Sequence, residues 1–130
     1  MNFQIFNLFD NSDALPEQNI NCKFVIIETL TDRWFIFGPL ETYRYHAQLI
    51  HKFCALNDVT CAWVKTPDLV EIIDPDTEIK GGGIIVLEFD KQTIELKGHS
   101  TAYGKFDKTI IEQFVDESDN FQDFEVLIGT

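Results

Sequence analysis

Phe24, Val25, Ile26 and Ile27 follow one another without a polar residue between them. Successive side chains of a strand point to opposite faces, so a four-residue apolar run needs cover on both sides. This run reads as a buried central strand, which requires a layer of structure above it and another below.

The rest of the chain supplies those layers. A second strand is expected over Trp34 to Phe37, after which Gly38 and Pro39 break the pattern. Proline suits the first position of a helix, where its missing N–H removes no bond, so a helix is expected from Pro39 to Leu56. Its stripe of Leu40, Tyr43, Ala47, Ile50 and Cys54 keeps the spacing of a helix packed on a sheet, with His46 beside it, in line with Leu49 and Phe53. Further apolar runs cover Val59 to Val64, Leu69 to Ile73 and Gly83 to Phe89. The last is joined through Asp90 and Lys91 to Thr93–Leu96 as a hairpin. The loop Gly98–Gly104 leads to a short helix from Asp107, its N-cap, to Val115. An acidic turn, Asp116 to Asn120, precedes a final strand over Phe124 to Ile128. The expected fold is α/β: a single mixed β-sheet of about six strands flanked by two helices. Residues 22–130 form the domain. Residues 1–21 form an arm in which Phe3 to Phe9 is either an added strand or disordered.

Composition narrows the function. With 22 acidic against 10 basic side chains the formal charge is -12, which opposes a phosphate backbone or an anionic membrane, so neither nucleic acid nor membrane is an expected partner. The apolar fraction of 45%, with 12 Phe, is that of a packed core. Cys22, Cys54 and Cys61 match no zinc or disulfide spacing, and the N-terminus has no signal-like block, so a reducing, cytoplasmic location is expected.

Several catalytic templates fail on spacing. The positions six after each cysteine hold Glu28, Thr60 and Pro67, not the arginine of a cysteine-dependent phosphatase loop. Gly81–Gly83 runs into Ile84 and Ile85, without the Lys-Ser/Thr of a nucleotide loop. Asp74 and Asp76 echo a magnesium-binding aspartate pair, but Glu78 departs from that pattern and a turn built on Pro75 accounts for them. His46 and His51, five apart on one helix, diverge and make a poor metal pair. No metal and no cofactor are expected.

The loop Gly-His-Ser-Thr-Ala-Tyr-Gly, Gly98–Gly104, is the unusual element. Small residues between a strand and a helix suit inward-turned amides around an oxyanion, with hydroxyl donors from Ser100 and Thr101. An ordinary strand-to-helix connection fits the same composition.

Taken in order, Cys22–Ile27, Tyr43–Lys52 with its Tyr-His-Ala core, the Gly81–Gly83 triplet with hairpin and Gly98–Gly104 loop, and Asp123–Val126 resemble the protein histidine phosphatases of the Janus/Ocnus group. The likeness spans about residues 22 to 128. It implies a cofactor-independent enzyme acting on a phosphorylated protein or small phosphoramidate. His46 would be the general base toward water, Ser100, Thr101 and Ala102 the phosphate cradle, and Lys23 a cation at the site edge. His99 stands where the family commonly has Tyr, as an accessory donor or a packing residue. Where the family carries arginines, this chain has Ile84 and, approximately, Phe37 or Gly38. Of its two arginines, Arg33 and Arg44, the latter would lie on a different helix face from His46, while Lys105 and Lys108 flank the loop. The stretch between His46 and Gly81 is longer than in those relatives, enough for the extra strand Leu69 to Ile73. A non-catalytic phosphate or phosphopeptide module, or an acidic interaction protein, would use the same scaffold.

Overall fold

The computed structural model describes residues 1–129. The strands are β1 (Asn2–Asn7), β2 (Ile20–Glu28), β3 (Asp32–Pro39), β4 (Cys61–Lys65), β5 (Leu69–Ile72), β6 (Glu78–Glu88), β7 (Thr93–Lys97) and β8 (Glu125–Ile128), and the helices are α1 (His46–Leu56) and α2 (Lys108–Glu117). Six strands form one mixed sheet in the order β1-β3-β2-β6-β7-β8, parallel at its two outer pairs and antiparallel within. Strand β2 lies inside it, as the Phe24–Ile27 run demands.

Alternation along β2 divides the core in two. Cys22, Phe24 and Ile26 face α2 with Phe35, Phe37, Ile94, Leu96, Ile111 and Phe114, all buried. Val25 and Ile27 face α1 with Ile36, Leu49, Ile50 and Phe53. The rings of Phe24 and Phe35 stack at 5.0 Å, an aromatic contact of about 0.5–1.5 kcal/mol beyond burial. In α2 the Asp107 side chain accepts the Thr109 N–H, the N-cap expected there.

Two expectations need correction. The helix does not begin at Pro39. That residue ends β3 opposite Cys22, and its carbonyl accepts the N–H groups of Thr42 and Tyr43, so strand pairing and a turn occupy the stretch to Tyr45. The helix starts at His46, closed by Gln48, whose side chain accepts the Tyr45 N–H at 3.1 Å. The strands after α1 do not join the main sheet either. Among the described residues β4 and β5 pair only with each other, as a ribbon beside α1, and the sheet draws β1 from the N-terminal segment as its edge strand.

The bulge between Val25 and Ile27 lets β2 stay paired with β6 through the glycine triplet. Gly81 has φ +90°, and a Cβ there would strike the Lys105 carbonyl, so only glycine fits.

Candidate functional site

A cleft of about 380 Å³ is lined by Lys23, Arg44, Tyr45, His46, Asp68, His99, Ser100, Thr101 and Ala102. All six residues singled out from the sequence meet there, although they lie on β2, at the start of α1 and in the loop after β7. Strand β2 presents Lys23 on its α1 side, between Val25 and Asn21. Opposite Val25 stands Gly82, whose hydrogen leaves room for the imidazole, since a Cβ would come within 2.8 Å of His46 Cδ2.

His46 is 8% exposed, and its Nε2 lies 3.0 Å from the Gly83 carbonyl oxygen. A carbonyl only accepts, so Nε2 carries the proton of the neutral ring and Nδ1 is the basic nitrogen. Burial pushes the His46 pKa below its ordinary value, opposed by the Gly83 bond and helped by the charges of Lys23 and His99. Its place in the first turn of α1, at the positive end of the helix, acts in the same direction. The ring is therefore neutral and ready to accept a proton near pH 7. Burial also lowers the Lys23 pKa.

The loop is held from within. Ser100 N–H donates to the Gly104 carbonyl, Gly104 N–H donates back to Ser100, and the Ser100 hydroxyl oxygen accepts the Tyr103 N–H at 3.1 Å. Ser100 is 1% exposed and keeps its hydroxyl proton free to donate. Its backbone N–H is spent. Among the described residues the N–H groups of Thr101 and Ala102 have no protein partner. Both residues line the cleft. The tip of this tight turn thus carries two unpaired donors, an arrangement suited to an oxyanion.

Three participants escaped the sequence reading. Tyr103 spans the gap to the ribbon: its hydroxyl accepts the Val70 N–H and donates to the Val70 carbonyl, both at 2.8 Å. The ribbon turn brings Asp68 to the cleft, paired with Lys65 at 3.4 Å. Arg44 lines the cleft as well, because the chain before His46 is not helical and the helical spacing argument does not apply to it. Only the irregularity of Leu40–Tyr45 could have signalled this. The lysines that flank the loop behave differently. Lys105 lines another depression with Glu28, Arg33 and Lys80, and Lys108 is exposed outside the cleft.

Asp74 closes an exposed turn on Asp76 N–H and the Thr77 hydroxyl, and His51 stacks on Trp63 at 5.0 Å. Among the described residues no group of three His, Cys, Asp or Glu is placed to hold a metal ion, and no helix is long and apolar enough to cross a membrane.

The family model described as Janus/Ocnus family matches residues 17–125. A comparison with curated proteins returns no match.

Proposed function

Because the chain belongs to the Janus/Ocnus family, we propose that it is a metal-independent phosphatase for phosphohistidine or a related phosphoramidate. The observation that carries this reading is the tautomer of His46: the Gly83 carbonyl occupies Nε2 and leaves Nδ1 as a neutral base in the cleft that also holds the free N–H groups of Thr101 and Ala102.

In this reading the phosphoryl oxygens sit against those two amides and the Ser100 hydroxyl. Nδ1 of His46 takes a proton from water while the water oxygen bonds to phosphorus. The phosphorus–nitrogen bond breaks with its electron pair staying on nitrogen, the leaving nitrogen takes a proton from solvent, and His46 returns its own to solvent. General base catalysis of this kind supplies about 10²–10⁴ in rate. Lys23 and Arg44 offset the phosphoryl charge, so Arg44 takes over part of what the absent family arginines would do. Three free thiols fit action in the reducing cytoplasm.

Phosphate release from a phosphohistidine peptide, without added metal, tests this. Wild type is expected to exceed background, His46→Asn to fall about 10²-fold or more, and Ser100→Ala to retain partial activity. Equal background rates for all three would overturn it. A binding-only role is the second reading, favoured by Ile84, which stands where the family carries an arginine. Phosphate-competitive peptide binding without release would select it.

A further inference from the structure

Helix α1 packs over β2, β3 and the ribbon and reaches β6 through His46 at Gly82 and Gly83, and beyond the triplet on the same side Ile84 and Val86 are only half-buried. Cross-strand partners share a face, so this open half is read directly from the register: Lys23 stands opposite Ile84, and Ile84 opposite Lys97. Asn21 stands opposite Val86, Val86 opposite Glu95, and Glu95 opposite Leu127. Ile84 and Val86 belong to neither buried cluster, and Leu127 is 50% exposed.

The open face is continuous with the candidate site. Lys23 lines the His46 cleft; two residues back on the same side of β2, about 7 Å away, Asn21 lines a larger cleft of about 1020 Å³ together with Val86, Leu40, Glu41 and Asp90. The charge around this second cleft is acidic. Lys91 is paired with Glu88, and Lys97 with Glu95. Among the described residues Glu41 and Asp90, both lining this cleft, have no cationic partner, and both are exposed. The surface therefore joins a cationic pocket to an apolar floor with an acidic rim.

We propose that this face seats a lysine- or arginine-bearing polypeptide segment of the substrate, laid from the Asn21–Val86 cleft to the His46 cleft, where its phosphorylated side chain enters. The inference rests on the phosphatase reading for the role of the seated segment, and its physical basis is separate. The rim carboxylates attract cationic side chains, Val86 and Leu40 take their aliphatic stems, and Lys23 and Arg44 receive the anion. The phosphate site alone does not distinguish a basic substrate from a neutral one; the rim does.

The test uses the full chain with four probes: a phosphohistidine peptide flanked by lysines, the same peptide with serines in their place, the unphosphorylated lysine peptide, and phosphoramidate. Binding is read by fluorescence anisotropy at low and high salt, and turnover by phosphate release. The phosphorylated lysine peptide is expected to bind about tenfold more tightly than the serine peptide, with the preference fading in high salt. The double variant Glu41→Lys/Asp90→Lys is expected to lose that preference while hydrolysing phosphoramidate at the wild-type rate. Lysine and serine peptides binding alike, or the double variant binding the lysine peptide as well as wild type does, would overturn the proposal. If no probe yields phosphate while the unphosphorylated lysine peptide still binds in a rim-dependent way, the phosphatase reading fails and the basic-segment seat stands.

Discussion

The imidazole of His46 and the backbone carbonyl of Gly83 are joined by a 3.0 Å hydrogen bond that ties the first residue of α1 to the third glycine of β6. One backbone oxygen thereby sets which ring nitrogen is basic. Because a backbone group makes the contact, no side-chain substitution at residue 83 removes it directly, and tests must act on the space around the ring or on its charge.

The first test is pH. In the folded chain the His46 pKa lies below its ordinary value of 6.5, and in the unfolded chain it returns there. As pH falls below about 6.5 the unfolded state binds a proton that the folded state does not, so the His46 contribution is intact above that pH and declines as pH drops toward the folded pKa. Urea unfolding at a series of pH values should show this decline, reduced in His46→Gln. In Lys23→Gln the His46 pKa, followed by NMR, should rise, because one neighbouring cation is gone; an unchanged value would remove Lys23 from the electrostatics of the site.

Gly82→Ala should damage stability and site together. The new Cβ would overlap the Phe24 carbonyl and approach His46 Cδ2 within 2.8 Å, and backbone oxygen in a central strand cannot move aside cheaply. A loss of about 1–3 kcal/mol in urea unfolding is expected, with displaced His46 ring resonances. Wild-type stability would show that the triplet is not tight.

Tyr103→Phe removes the hydroxyl that serves both backbone groups of Val70. Val70 is 1% exposed, so water does not readily replace the lost partner, and a cost of about 1–3 kcal/mol is expected. Hydrogen exchange should rise first at Val70 and along the β4–β5 ribbon, while α2 stays protected. Uniform acceleration everywhere would argue that the ribbon and loop are not a separate unit.

Arg44→Gln should leave folding intact and weaken phosphate binding, since the side chain lies at the cleft and makes no ion pair among the described residues. A loss of about threefold to tenfold in affinity for inorganic phosphate, shrinking at high salt, is the expected size for a partly solvated charge. Equal affinities would mean that Lys23 and the loop amides suffice.

Cys22 and Cys54 should resist alkylation of the native chain at pH 8, because burial pushes both thiols up to about 12 and access is closed. Cys61, half-buried on β4, should react first, as peptide mapping after iodoacetamide would show. Early labelling of Cys22 would mean that the sheet opens locally.

Much of the architecture was legible in the chain because it rests on local periodicity. The unbroken Phe24–Ile27 run, the alternation of Thr93–Lys97 and the Asp107 cap each mark an element that formed where its pattern lay, whereas of the helix stripe Leu40, Tyr43, Ala47, Ile50 and Cys54 only the last three lie on α1. The family resemblance carried by Cys22–Ile27, the Tyr-His-Ala helix, the glycine triplet and the Gly98–Gly104 loop pointed to Lys23, His46, His99, Ser100, Thr101 and Ala102, which share one cleft.

What local pattern does not encode is which distant groups compete for the same backbone. Pro39 is an acceptable helix start in isolation, yet its pairing with Cys22 keeps it in β3, and that shift carries Arg44 out of the helix and into the cleft. The β4 and β5 runs read as ordinary sheet strands, and only the seat that β1 takes on β3, with the bond from Tyr103 to Val70, leaves them as a separate wall bearing Asp68. Residues thus announce the elements they can form, through side-chain spacing within a few positions. The partners those elements take, and with them the tautomer of His46 and the charges around it, follow from contacts between segments far apart in the chain, where several locally acceptable choices are separated only by how the whole packs.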